Sequence, residues 1–203
     1  EYFGEGTKSI SCTGKATITN MGAELGATTS VFPYDDRMSK YLKSTGRSEL
    51  AKLADSNQDL IRPDKETEEN PEAFFDHVVE IDLSKLEPHV AGPHSPDRVR
   101  PISQLINEVN DDKNGFVEKI DTALIGSCTN SSYEDMSRVA DVAQQATEHG
   151  LKSATSLMVT PGSEQVRATI ERDGQLATLQ EIDSVTLANA CGPCIGQWRR
   201  EEV

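Results

Sequence analysis

The sequence predicts an α/β fold made of two partial three-layer α/β domains with largely parallel sheets. In the second half of the chain, apolar segments of strand length alternate with longer amphipathic stretches, and short turns separate them. This order is typical of a parallel sheet with right-handed crossovers. Hydrophobic residues make up 35% of the 203 residues and aromatic residues only 5%. The core must therefore be mostly aliphatic, which suits helices layered on a sheet.

The first half of the chain is expected to combine helices with short strands. A helix is predicted over about residues 15–25, where Ile18, Met21 and Leu25 form an apolar stripe that would pack inward. The other elements predicted here are a strand at 28–32, surface helices at 35–44 and 48–54, a solvated acidic loop at 56–73 and a strand at 77–83.

Four prolines between residues 87 and 101 would prevent regular structure over most of that span. We therefore predict a C-terminal part of one α/β domain at 1–85, a Pro-rich connection at 86–101, and the N-terminal part of the next domain at 102–203. Because the chain starts at Glu1 without a Met and stops within a charged run, we expect it to be a piece of a longer protein.

The second half has the more regular pattern. The predicted elements are a short helix at 102–109, a strand at 120–125, a helix at 132–149, a strand at 154–160, a helix at 163–173, a short helix near 176–180 and a strand at 185–190. Strands and helices in this order predict that the carboxyl ends of the strands meet at one edge of the sheet, where ligands bind in open α/β folds.

The charge and composition exclude several classes of function. A formal net charge of −14 argues against a nucleic-acid partner, since nucleic-acid binding depends on phosphate contacts from basic residues. No apolar run approaches the ~20 residues of a membrane span, and no secretory signal is visible, so no membrane partner is expected. Four cysteines in 203 residues favour a reducing compartment.

Three of the cysteines fall in loops that follow predicted strands. Cys128 lies in Gly-Ser-Cys-Thr-Asn after the strand at 120–125, and Cys191 and Cys194 form a C-x-x-C pair after the strand at 185–190. The three thiols are therefore expected at the same edge of the sheet.

The residue pattern alone leaves four interpretations of these cysteines open. A zinc site would usually need a fourth protein ligand, and none of the four histidines is an obvious candidate. A redox C-x-x-C pair needs no distant third cysteine. Three cysteines around an iron–sulfur cluster would leave one iron open to polarise a substrate hydroxyl. Buried structural cysteines with an accidental third remain the fourth interpretation.

Longer segments resemble one known family. Residues 126–136 and 188–198 resemble the two cluster-binding segments of the aconitase family, and more specifically of its mitochondrial-type branch. Residues 21–34 and 160–167 are also similar to that family, so the resemblance spans nearly the whole chain. It is weaker at 60–76 and 104–119.

The resemblance implies a site and a cofactor. Cys128, Cys191 and Cys194 would be the ligands of a [4Fe–4S] cluster, whose open iron would bind citrate, cis-aconitate or isocitrate. Asn20 and Glu24 match the family's residues near the open iron and its bound water, and would be catalytic. They lie four positions apart on the predicted helix and would share a face.

The resemblance also implies what this chain does not contain. The family's chain is several times longer, and its other N-terminal and C-terminal domains carry further substrate-binding residues and the catalytic serine base. Those domains would be this chain's partners, and we expect these 203 residues alone to be inactive.

Other functions remain as alternatives to citrate and isocitrate isomerisation. A sibling hydro-lyase acting on homoaconitate or isopropylmalate fits the Gln197-Trp198 pair and the 131–133 segment less well. A zinc or redox dithiol binding module is the alternative from another class. Cys12 matches no cluster ligand and is expected to be a small buried residue, and Arg167 and Arg172 are expected to be surface or ion-paired arginines.

Overall fold

The computed structural model describes residues 1–111, 113, 115–117 and 119–197. Its internal contacts divide the chain into two compact units, Glu1–Phe116 and Val117–Val203. The domain bounds placed at 86–101 from the sequence stay a prediction. Trp198, used above to separate sibling activities, lies outside the described residues.

The first unit contains five helices and two short strands within its described residues. They are α1 (Cys12–Gly22), α2 (Asp36–Ser44), α3 (Ser48–Asp55), α4 (Lys65–Glu69), β1 (His89–Ala91), β2 (Val99–Pro101) and α5 (Ile102–Val109), with short 3₁₀ turns at Glu5–Ser9, Gln58–Leu60 and Pro71–Ala73. The two strands pair antiparallel, with Val90 opposite Arg100.

Several predicted elements of this unit are wrong. Residues 28–32 and 77–83 form no strand, although their apolar content suggested one. A strand is stable only when a neighbour takes up its backbone hydrogen bonds, and apolar content does not report whether such a neighbour exists. Conversely, the 87–101 span contains a β-hairpin, in which Pro101 occupies the last position of an edge strand, where no N–H is needed.

Helix α1 begins at Cys12, three residues before the predicted start. The cause is Ser11, whose side chain accepts a hydrogen bond from the Gly14 N–H and so caps the helix. Within the helix, Lys15 is buried and pairs with Asp35, the residue that also caps α2 by accepting from the Met38 N–H at 3.0 Å. One carboxylate therefore fixes both helices.

The second unit carries the predicted parallel sheet. Its elements are β3 (Thr122–Ile125), α6 (Tyr133–Glu148), β4 (Ser156–Val159), α7 (Glu164–Arg172), α8 (Gln175–Glu181), β5 (Ser184–Thr186) and α9 (Cys191–Cys194). The strand order is β3-β4-β5, all parallel, with β4 in the centre. The expectation of an α/β fold is confirmed.

The core of the second unit lies between the sheet and helices α6, α7 and α8. Its buried side chains are Met136, Ala140, Ala143, Val159, Ile170, Leu176 and Leu179. These residues are aliphatic or Met, as the composition predicted. The packing fixes β4 against the helices and so holds the edge where the cysteine loops begin.

A helix that spans a membrane is recognised by its length and its apolar character. Among the helices of the described residues, none combines the length and apolar character needed to span a bilayer.

Candidate metal centre

The two cysteine loops lie on either side of the central strand, at the carboxyl edge of the sheet. Cys128 follows β3 and Cys191 begins α9, shortly after β5, and β3 and β5 are the two neighbours of β4. All three thiols, including that of Cys194, are free and exposed. The predicted end of the first strand at residue 125 is confirmed, whereas β5 ends at Thr186, four residues before the predicted end at 190.

Two of the three thiols lie close enough to affect each other's ionisation. The negative charge of Cys128 raises the pKa of the Cys191 thiol, and a hydrogen bond between the two side chains adds to this effect. Burial and the charge of Cys194 raise the pKa of Cys191 further. The shift is opposite to the lowered pKa that activates a redox dithiol.

The third thiol is turned toward the backbone. The Cys194 Sγ donates a hydrogen bond to the Cys191 carbonyl oxygen at 3.1 Å. Over residues 1–111, 113, 115–117 and 119–197, no three His, Cys, Asp or Glu side chains form a group that could hold a metal ion. The donor set thus consists of one thiol pair and a neighbouring thiol that would have to rotate to join it.

The donor set fits an iron–sulfur cluster by its chemistry. Thiolates are the protein ligands of such clusters, and two thiolates held together repel each other unless a cationic centre lies between them. The backbone at Gly192 also packs closely against the backbone at Gln197, since a Cβ on Gly192 would lie 2.8 Å from the Gln197 carbonyl oxygen. The residue chemistry therefore fits the cluster, while the Cys194 sulfur is hydrogen-bonded to the Cys191 carbonyl oxygen in this structure.

Asn20 and Glu24 belong to the first unit. Asn20 is in the last turn of α1, and Glu24 lies beyond its end at Gly22, in a turn where the Glu24 N–H donates to the Met21 carbonyl oxygen at 3.1 Å. Both side chains are exposed. The predicted continuous helix to Leu25 is wrong, because Gly22–Gly26 closes in tighter turns and leaves Leu25 86% exposed rather than packed.

The other residues considered in the sequence are Cys12, Arg167 and Arg172. Cys12 is partly buried, and burial raises the pKa of its thiol. Arg167 forms ion pairs with Glu164 and Glu171 on the exposed face of α7. Arg172 pairs with its neighbour Asp173 at 2.7 Å. Both arginines are ion-paired.

A groove between α6 and α8 is separate from the cysteine loops. Asp141, Asp173 and Gln175 are among the residues that line it, and no cysteine does. Asp173 already accepts hydrogen bonds from Tyr133 and Arg172. The groove is therefore part of the outer surface of the helical layer.

Sequence reasoning missed the residues that brace the cysteine loops. Ser131 is fully buried and hydrogen-bonded within the Cys128 loop, and the Asn189 amide donates to the Pro161 carbonyl oxygen at 2.8 Å. The available signal was the polar character of both loops, but nothing in the sequence distinguishes a bracing Ser or Asn from an exposed one.

Comparisons with known proteins indicate one family for the chain. A model described as the aconitase family (aconitate hydratase) matches residues 1–202. The chain is 57% identical over 203 residues to the mitochondrial aconitate hydratases of Gracilaria gracilis and Emericella nidulans. It is 54% identical over 206 residues to a mitochondrial homocitrate dehydratase of Saccharomyces cerevisiae.

Each of these alignments covers 100% of this chain and 25% of the relative. The chain therefore belongs to the aconitase family, and it spans about a quarter of the length of the relatives that it matches.

Proposed function

We propose that this chain is the cluster-binding part of an iron–sulfur hydro-lyase that interconverts citrate and isocitrate through cis-aconitate. The observation that carries the proposal is that the Cys128 loop and the turn of Cys191 and Cys194 lie on either side of the central strand, at the carboxyl edge of a parallel sheet. This arrangement occurs in a chain of the aconitase family, whose named relatives here include aconitate hydratases.

Cys128, Cys191 and Cys194 would hold a [4Fe–4S] cluster. When bound, the cluster would supply a Lewis acid that polarises the substrate hydroxyl. For Cys194 to serve as a ligand, its Sγ would give up the hydrogen bond to the Cys191 carbonyl oxygen. That bond is weak because a thiol is a poor donor, so the rotation is inexpensive.

Asn20 and Glu24 are proposed to act on the departing or entering water. A carboxylate such as that of Glu24 can accept or return a proton at its Oε atoms, and the amide of Asn20 can both donate and accept hydrogen bonds. Their exposure in this chain leaves both side chains accessible to a substrate. The base that removes the carbon-bound proton would come from outside these 203 residues.

The remaining three quarters of the relatives' length would supply the rest of the site. Substrate carboxylates need cationic partners, and Arg167 and Arg172 are already engaged in ion pairs within the second unit. We therefore propose that this chain alone does not turn over citrate. A saturable dehydration rate from the purified 203 residues would contradict this.

Anaerobic reconstitution with iron and sulfide tests the cluster. We expect visible absorbance typical of a [4Fe–4S] cluster and about four irons per chain. Cys128→Ser and Cys194→Ser should each abolish incorporation, whereas Cys12→Ser, in the first unit, is the matched control and should leave it unchanged. Stoichiometric zinc without iron, or incorporation that survives both substitutions, would overturn the proposal.

A second candidate substrate has specific support. The homocitrate dehydratase of Saccharomyces cerevisiae is 54% identical to this chain, close to the 57% of the aconitate hydratases. Homocitrate carries one more methylene than citrate, which a pocket distinguishes by about 1–3 kcal/mol. Comparing kcat/KM for citrate and homocitrate in the whole protein decides between them.

The proposed location is a bacterial cytoplasm or the mitochondrial matrix. The relatives named above carry the word mitochondrial in their names, and free thiols at the site require a reducing compartment.

A further inference from the structure

Both cysteine loops are attached to one backbone segment, residues 160–162, which directly follows the central strand β4. Three hydrogen bonds make the attachment: Thr160 N to Ile125 O at 2.9 Å, Gly162 N to Ser131 O at 2.9 Å, and Asn189 Nδ2 to Pro161 O at 2.8 Å. A fourth, from Leu187 N to Val159 O at 2.8 Å, joins the second loop to the last residue of β4. The same backbone segment therefore holds both the loop of Cys128 and the loop of Cys191.

On the first side, the link is Ser131, which is 0% exposed. Its hydroxyl accepts a hydrogen bond from the Ser127 N–H at 2.8 Å and donates to the Asn130 carbonyl oxygen at 2.7 Å. Its own carbonyl oxygen accepts from the Gly162 N–H. Ser131 therefore closes the loop around Cys128 and connects it to the segment after β4.

Ser131 packs closely against two glycines. A Cβ on Gly162 would lie 2.7 Å from the Ser131 carbonyl oxygen, and a Cβ on Gly126 would lie 2.6 Å from its hydroxyl. Both distances are far below ordinary van der Waals contact. The two glycines permit this close packing, and the hydroxyl is held in one position.

On the second side, the link is Asn189. Its side chain donates to the Pro161 carbonyl oxygen, and Cys191 follows two residues later. Proline has no N–H, so the carbonyl of Pro161 is the only backbone polar group that this residue offers. The bond sets the direction in which the chain enters α9.

We infer that Ser131 and Asn189 are positioning residues that set the distance between the Cys128 and Cys191 sulfurs, with residues 160–162 as their common support. The inference rests on the proposed function, in which both sulfurs bind one cluster, and it adds the residues that hold the ligands at the right separation. Residues that orient metal ligands through hydrogen bonds typically change affinity 10- to 100-fold when removed.

Thiol cross-linking measures the sulfur separation without any cluster. In a Cys12→Ser, Cys194→Ser background only Cys128 and Cys191 remain. Dibromobimane alkylates one thiolate and then the other, with loss of one bromide at each step, and becomes fluorescent when both have reacted. The rate of the second step depends on how closely the two sulfurs are held.

We expect Ser131→Ala to slow the second step by about tenfold or more while the first step is unchanged. The matched control is Ser153→Ala. The Ser153 hydroxyl donates to the Thr155 carbonyl oxygen at 2.7 Å and braces a loop at the opposite, amino end of β4. It should not alter either step. An unchanged second step in Ser131→Ala, with circular dichroism like the parent's, would overturn the inference.

Should Ser131→Ala fail to fold, Asn189→Asp decides the matter, because this side chain is exposed and its replacement removes no buried volume. A carboxylate cannot donate to the Pro161 oxygen, so the second cross-linking step should again slow. Its control is Asn57→Asp, which removes a comparable amide-to-carbonyl bond of 2.8 Å to Leu53 in the first unit. Equal rates in the Asn189 and Asn57 variants would count against the inference.

The outcome is separable from that of the proposed function. If the Ser131 and Asn189 variants slow cross-linking but the parent chain takes up no iron–sulfur cluster, the positioning role is retained and the cluster is rejected. Cluster uptake with no response of the cross-linking rate would do the reverse.

Discussion

Gly126 joins strand β3 to the Cys128 loop at a position that admits no side chain. Its φ of +112° is a conformation that L-residues rarely adopt. A Cβ there would also lie 2.6 Å from the Ser131 hydroxyl and would meet the Thr160 carbonyl oxygen. The backbone path from the strand to the cysteine therefore depends on a single residue.

Gly126→Ala should accordingly be more damaging than an alanine at another left-handed glycine. We expect a loss of more than about 3 kcal/mol in the free energy of unfolding, since strain and overlap add. Gly150→Ala is the control, because Gly150 has φ of +69° but open space around its Cβ position, and should cost about 1 kcal/mol. Urea denaturation compares them, and equal losses would contradict the steric argument.

Asp55 is expected to make the stability of the first unit depend on pH. A hydrogen bond from Lys43 lowers the pKa of this carboxyl group, with further hydrogen bonds from Tyr34 and Ser39. A carboxylate with a lowered folded-state pKa contributes stability above its unfolded value of about 3.9. That contribution disappears as the pH falls through the lower, folded value.

We therefore predict that Asp55→Asn destabilises the chain at pH 6 and that the difference from the parent narrows as the pH falls below about 4. Asp59→Asn is the control, since Asp59 has only an exposed ion pair with Arg62. Urea midpoints measured from pH 6 to pH 2.5 provide the comparison. A difference that stays constant over this range would refute the linkage.

At the residue scale, the sequence identified the cysteines of the candidate site but not the residues that brace their loops. The cysteines were identifiable because they follow apolar strands and match family segments. Ser131 was not identifiable, because the role of a serine in a polar loop depends on the residues packed around it, which here are Gly126 and Gly162. The proximity of the Cys128 and Cys191 loops likewise depends on which strands neighbour β4, which the chain order alone did not fix.

Among the elements, helix α6 is the best determined by local sequence. Ser132 and Asp135 form a capping box, in which the Ser132 hydroxyl accepts from the Asp135 N–H and the Asp135 carboxylate accepts from the Ser132 N–H at 2.9 Å. The helix then contributes Met136, Ala140 and Ala143 to the core. The residues from the N-cap Ser132 to Ala143 therefore determine both where the helix starts and which of its faces is buried.

Removing the cap should therefore cost stability without moving the helix. We expect Ser132→Ala to lower the free energy of unfolding by about 1 kcal/mol. The matched control is Ser156→Ala at the exposed first residue of β4, which should change it by less than about 0.5 kcal/mol. Urea unfolding followed by far-ultraviolet circular dichroism measures both, and a cap variant as stable as the control would show that the box contributes nothing.

The elements that sequence predicted well are those whose stability is local. The parallel strands and the helices between them were placed to within a few residues, because caps, glycine stops and apolar runs mark their ends. The expected strand at 77–83 failed because strand formation depends on a partner that local sequence does not specify. The hairpin of β1 and β2 was not predicted for the same reason, and because the prolines in this span indicated irregular structure.

At the scale of the whole molecule, the sheet of the second unit is covered on one face. Val159 is 0% exposed and lies in the core with helices α6, α7 and α8. Met158 pairs with Val185 on the opposite face, where Val185 is 55% exposed. In a chain that spans a quarter of its relatives' length, this open face is where the second helical layer of a three-layer domain would pack.

The same substitution on the two faces tests this asymmetry. Val159→Ala removes buried apolar volume and leaves a cavity, so we expect it to lower the free energy of unfolding by about 2 kcal/mol. Val185→Ala removes the same atoms from a solvated face and should change it by less than about 0.5 kcal/mol in this chain. In the whole protein the second variant should become costly as well, because the face would then be buried. Equal effects of Val159→Ala and Val185→Ala in the 203-residue chain would mean that the open face is already covered, and a Val185 variant that stays neutral in the whole protein would mean that nothing packs there.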